Sequence, residues 1–217
     1  MMADTMSDSF LKGVAGPQIY QSALTTIQLW KQKARLAQSR PFDAQMDVFR
    51  AALEVIFAAT FGREVGTIRA QLSLLSDLDK VQLPEDLNAP VTMPAAEEPE
   101  AFHAITTLSD SVEIAQSSPA PRLHHGLALK IMPFLRNAKK TKDRIIKEGL
   151  DASWKKFQDG ADDDHVKSAM DLVVQRESIM AKKENRPAEY NTQAIRDELF
   201  GFLLAGHGTY IESWVNS

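Results

Sequence analysis

Apolar residues along this chain recur at three- and four-residue intervals. No stretch alternates apolar and polar residues between hairpin turns, so the pattern predicts helices throughout. Pro17 follows Gly16 and suits a first helical position. Tyr20, Leu24, Ile27, Trp30 and Ala34 are then expected to form one apolar face. Pro41 breaks that run, and Asp43 is placed to cap the next helix. Met46, Phe49, Leu53, Ile56, Phe57 and Thr60 share a face, and Gly62 follows as a stop. A third helix is expected over 64–78.

From 83 to 100 the pattern changes. Pro84, Pro90, Pro94 and Pro99 recur among Glu and Ala, which predicts an extended loop. Phe102, Ile105, Leu108 and Val112 mark another helix, ended by Pro119 and Pro121. A helical stretch over 123–137 is expected to break at Pro133. A basic run with Lys139, Lys140, Lys142, Arg144 and Lys147 overlaps a helix whose apolar face is Ile146, Leu150, Trp154 and Phe157, with Gly160 as its stop. Asp162, Asp163 and Asp164 precede a helix through Val166, Met170, Val173 and Val174, where acids complement the helix dipole. That helix should fade near Asn185 and Pro187, and Asn191 or Thr192 should cap the last one. The expected fold class is all-α, as a single domain over 1–217.

Composition narrows the function. The 217 residues carry a net charge of −4, which argues against nucleic acid as a partner. There is no cysteine, which excludes a disulfide framework, a thiolate nucleophile and any Cys-based metal site. No apolar run reaches the length of a membrane span; 51–61 is the best candidate, and it is short and contains Glu54. As written, without a signal-like N-terminus, the chain is expected to stay in the cytosol.

The densest chemistry lies in 195–209, IRDELFGFLLAGHGT. An Asp-Glu pair opens an apolar helix that runs into Ala205-Gly206-His207-Gly208-Thr209. Each Gly in a helix interior costs about 0.8–1 kcal/mol against Ala, so such a segment either needs room beside the backbone or is ending the helix. This segment resembles the distal helix of cytochromes P-450, the heme-thiolate monooxygenases. Their pattern is Ala/Gly-Gly-x-Asp/Glu-Thr-Thr/Ser. Ala205, Gly206 and Thr209 match; Gly208 stands at the acid position and Tyr210 at the second Thr/Ser. The lead-in from Asp197 to Leu204 resembles fungal members in particular.

The same resemblance extends through Leu29-Trp30-Lys31, Arg40-Pro41-Phe42-Asp43, Leu53-Glu54-Val55-Ile56 and Phe61-Gly62. Met2-Ala3-Asp4 through Phe10 resembles the segment after the heme-propionate helix, and Val173-Val174-Gln175-Arg176-Glu177 the approach to the distal helix. The family's Glu-x-x-Arg helix and its cysteine loop are absent from this sequence. The match stops at Thr209, and 210–217 is expected to be a foreign tail from a truncated gene model, a retained intron or a frameshift.

The resemblance implies that Ala205 and Gly206 line an oxygen pocket beside heme and that Thr209 supplies the hydroxyl of a proton relay. It implies oxygen insertion into a small organic substrate, electrons from a reductase partner and, for a full-length parent, an endoplasmic reticulum membrane. Lacking the thiolate, the chain alone is expected neither to hold heme as a thiolate complex nor to turn over substrate. The rival readings are a cofactor-free helical interaction module, a degenerate remnant, or one half of a heterodimer. His124 and His125 are adjacent and point to different helix faces, and His103, His165 and His207 have no partner at metal-ligand spacing, so no metal site is expected. The basic run is expected to be a solvated helix face; beside Ile131, Phe134 and Leu135 it also fits a membrane-surface contact.

Overall fold

The computed structural model describes the backbone of residues 7–158 and 165–215 and the side chains of 7–158 and 165–204. The architecture is all-α. The helices are α1 (Asp8–Phe10), a π-helical turn (Leu11–Ala15), α2 (Gly16–Ala37), α3 (Gln45–Phe61), α4 (Thr67–Ser76), α5 (Glu100–Gln116), α6 (Pro121–Ile131), α7 (Pro133–Phe157), α8 (Ala169–Glu184) and α9 (Gln193–Val215). Among the described residues there is no strand; one isolated bridge joins Phe42 and Val91.

Helix boundaries follow local chemistry. Gly62 closes α3 at φ +68°, and its N–H donates to the Ala58 carbonyl at 2.8 Å. Pro133 separates α6 from α7 through an extended Met132. The Ser168 hydroxyl caps α8 by accepting from the Asp171 N–H at 3.0 Å, and Asn185 ends α8 in the left-handed region. The Thr192 hydroxyl accepts from the Ile195 N–H at 3.3 Å at the start of α9. Asp43 stands just outside α3, and its carboxylate accepts from the Gln45 N–H at 2.8 Å. The stop at Gly160 and the acids at 162–164 lie outside the described residues.

Helix α2 turns a different face inward from the one its apolar residues predict. Tyr20, Leu24 and Ile27 are exposed, while Thr26, Leu29, Lys33 and Leu36 are buried. Leu29 and Leu36 meet Ile68 and Leu75 of α4. Lys33 is drawn inward by Asp47 of α3, 2.6 Å away, and Trp30 donates its indole N–H to the same carboxylate oxygen at 3.1 Å. A buried charge pair thus sets the rotation of α2, and an apolar-periodicity reading treats both partners as surface residues.

The core has two main parts. Leu53 and Phe57 of α3 join Phe102, Ile105, Ile145 and Leu203. Ile146, Leu150 and Phe157 of α7 join Met170, Val173, Val174, Ile195 and Leu199. Gly149 lets α7 approach α8: a Cβ there would stand 2.5 Å from the Met170 sulfur. Residues 77–99 carry no helix but are tied down. Val91 N–H donates to the Pro41 carbonyl at 2.8 Å, Gln71 bridges Pro94 and Ala96, and Arg50 pairs with Glu98.

Candidate functional site

Helix α9 carries the motif, and its first three turns anchor it. Ile195, Leu199 and Leu203 recur every four residues and are 6%, 1% and 1% exposed. Side chains buried to this degree each contribute about 1.5–3 kcal/mol of apolar transfer. Ile195 and Leu199 lock into the α7–α8 layer, and Leu203 into the α3–α5 layer. On flanking faces, Phe202 packs against Phe10, Val14 and Ala169, and Lys142 places its ammonium 5.0 Å from the Phe200 ring centroid. Among the described residues nothing stands near the missing Cβ of Gly201, so it marks an open side of the helix.

The turn before α9 is held by a charge cluster that the sequence pattern did not single out. Glu177 of α8 accepts from Arg186 and from the Glu189 N–H, the latter at 2.7 Å. The Arg186 hydrogen bond holds the Glu177 carboxyl below its usual range, and the same pairing raises Arg186. Asn191 accepts from Arg196 at 2.7 Å. Tyr190 stacks on Trp154 at 4.7 Å, and burial together with nearby Asp151 pushes its phenol up. An Arg directly after the left-handed end of a helix, with a Glu nine positions earlier, carries no periodic signal; the folded turn brings them together.

Helix α9 continues through the two glycines to Val215, so the backbone does not stop at Gly206 or Gly208. Ala205, Gly206 and Thr209 sit on this continuous helix, beyond its anchored turns; their side chains lie outside the described residues. Among the described residues, no three His, Asp or Glu side chains converge as a metal-holding group. Most of the basic run forms ion pairs, with Lys142 buried and Lys140 exposed. Lys139 and Lys142 meet Asp143, Arg144 meets Glu100, and Lys147 meets Asp151. Among the described residues, no helix is long and apolar enough to cross a membrane.

Three known proteins align with nearly all of the chain. It is 38% identical over 212 residues to cytochrome P450 monooxygenase GME11363 of Pestalotiopsis microspora, covering 96% of this chain and 36% of that protein. It is 27% identical over 219 residues to cytochrome P450 monooxygenase TRI13 of Fusarium sporotrichioides, covering 96% and 37%. It is 28% identical over 211 residues to cytochrome P450 monooxygenase xilC of Penicillium crustosum, covering 96% and 36%. The chain therefore spans little more than a third of the length of these relatives. No family model and no solved structure matches it.

Proposed function

We infer that this chain, a cytochrome P450-like segment, provides the distal wall of a heme monooxygenase through α9. The observation that carries this reading is the 38% identity along 96% of the chain to a protein of that name. The chain ends in a motif helix whose first turns are fixed in the core. Nothing observed favours the cofactor-free module.

In this reading the parent protein inserts one atom of dioxygen into a small organic substrate and releases the other as water. A reductase supplies the electrons, and the parent works at the endoplasmic reticulum membrane. By resemblance, Ala205 and Gly206 would line the oxygen pocket and Thr209 would supply the hydroxyl of the proton relay. Gly208 provides no carboxylate behind that hydroxyl. The residues present do not complete a heme site: the chain has no cysteine for the axial thiolate. Thiolate ligation of heme therefore falls outside this chain's residues.

Two measurements test this. The chain alone, reduced under carbon monoxide, should lack the red-shifted Soret band of a thiolate complex; that band would overturn the assignment of the ligand elsewhere. In a protein carrying this segment at full family length, Thr209→Ala should lower product formation about tenfold while reductant is still consumed and peroxide accumulates. That is less than the hundredfold or more expected of a fully equipped proton relay. Unchanged product yield per reductant would remove Thr209 from the site.

A further inference from the structure

We propose that Ser118, in the turn between α5 and α6, is a phosphorylation site for a kinase that requires proline directly after its target, and that Arg122 then holds the phosphate. The chain has ten prolines, and Pro119 is the one that follows a serine or threonine. Such a kinase takes its substrate as an extended segment. A following proline supplies this, because it disfavours the helical region for the residue before it. The fold leaves the segment free of helix: α5 ends at Gln116 and α6 begins at Pro121. Ser117, Pro119, Ala120 and Pro121 are exposed around Ser118. The Ser118 hydroxyl accepts from the Ala120 N–H at 3.3 Å. That contact uses an oxygen lone pair, and the hydroxyl proton has no acceptor among the described residues. Hydroxyls within helices are committed differently: Ser76, Thr106 and Ser111 each donate to a carbonyl of their own helix.

Charge favours the product. No Asp or Glu occurs between Glu113 and Asp143, although the whole chain is acidic at −4. Arg122 lies four residues after Ser118 and is exposed, and it forms no ion pair or side-chain hydrogen bond among the described residues. A phosphoserine carries about −1.5 to −2 charges at neutral pH and offers oxygens that a guanidinium takes in pairs. The step is a phosphoryl transfer. The Ser118 oxygen bonds to the terminal phosphorus of a nucleoside triphosphate held by the kinase. The bond to the leaving diphosphate breaks, and the hydroxyl proton passes to a base of the kinase. The resulting charge pair ties the first turn of α6, a helix that buries no residue, to the end of α5.

The test uses the full chain, a proline-directed serine/threonine kinase and magnesium ATP, with phosphate mapped by mass spectrometry. A peptide of residues 112–126 is treated alongside. Phosphate is expected at Ser118 in both. It is not expected at Ser39, Thr92 or Ser117, exposed hydroxyls outside the helices with no proline after them. Pro119→Ala, a change at an exposed site, should abolish the transfer in chain and peptide alike, with the circular dichroism of the chain unchanged. In the phosphorylated chain, phosphorus NMR should show the second phosphate ionisation below its usual value of about 6. Arg122→Gln should bring it back. A chain without phosphate at Ser118 overturns the proposal even when the peptide accepts it, because the turn then hides the hydroxyl. So does phosphate that appears at Ser117 as readily as at Ser118, or that survives Pro119→Ala. A titration that Arg122→Gln leaves in place overturns Arg122 as the holder of the phosphate.

Discussion

Helix α3 buries two carboxylates seven residues apart and satisfies them in opposite ways. Asp47, fully buried, faces cations. One oxygen takes the Lys33 ammonium and the Trp30 indole N–H, and the other lies 3.7 Å from Arg50 without a hydrogen bond. Glu54, 5% exposed, faces backbone. Its oxygens accept from the N–H groups of Val65, Gly66 and Thr67 at 2.6–2.8 Å and from the Thr67 hydroxyl at 2.8 Å. The Gly66 and Thr67 N–H groups are orphan donors at the N-terminus of α4, so Glu54 caps that helix from a neighbouring one. Asp47 is held by side chains that mutation can remove. Glu54 is held mostly by main-chain N–H groups, with the Thr67 hydroxyl as a side-chain donor beside them.

The sharpest way to break this contrast is Asp47→Ala. It strands the buried Lys33 ammonium and should cost about 3–5 kcal/mol in denaturant unfolding. Adding Lys33→Met to that variant should return most of the loss, because a buried pair replaced by apolar side chains is close to neutral. Glu54→Gln should cost less, about 2 kcal/mol, by setting an amide NH2 against backbone donors. No second substitution should restore it. A single partner change that rescued Glu54→Gln, or a failure of Lys33→Met to rescue Asp47→Ala, would erase the distinction.

The smallest effect belongs to Glu177, a carboxylate that uses both kinds of partner, Arg186 and the Glu189 amide. Its folded-state affinity for protons is lowered, so its contribution is present above the ordinary carboxylate range near pH 4.5 and disappears as the pH falls through that range and below it. A pH series of melting temperatures should show this acid-side loss, and Glu177→Gln should flatten it. Arg186 is partly solvated, so the change should stay small.

These clusters also explain what the sequence shows and what it hides. Apolar periodicity locates α3, α5, α7, α8 and α9, and turn chemistry places Gly62 at the end of α3, Pro133 at the start of α7 and Asn185 at the end of α8. It mispredicts the inward face of α2 because Lys33 and Asp47 read as solvent-facing when their partners are distant in sequence. Glu54 reads as a blemish in an apolar run; its purpose appears only when α4 folds back onto it. The motif on α9 is legible as a resemblance because it is contiguous. The clamp that aims α9 is not, since Glu177, Arg186 and Glu189 become neighbours only at the turn.

The Glu54 cradle has a consequence for the order of assembly. Its amide partners lie only 11 to 14 residues further along the chain, so closing that loop costs little entropy. The Arg50–Glu98 pair, 48 residues apart, closes a far longer one. Helices α3 and α4 can therefore meet early, with Glu54 fixing their mutual orientation as they form. The Pro-rich stretch through Val91, Pro94 and Glu98 is then laid across a helix pair already in place, the last strap of this half of the molecule.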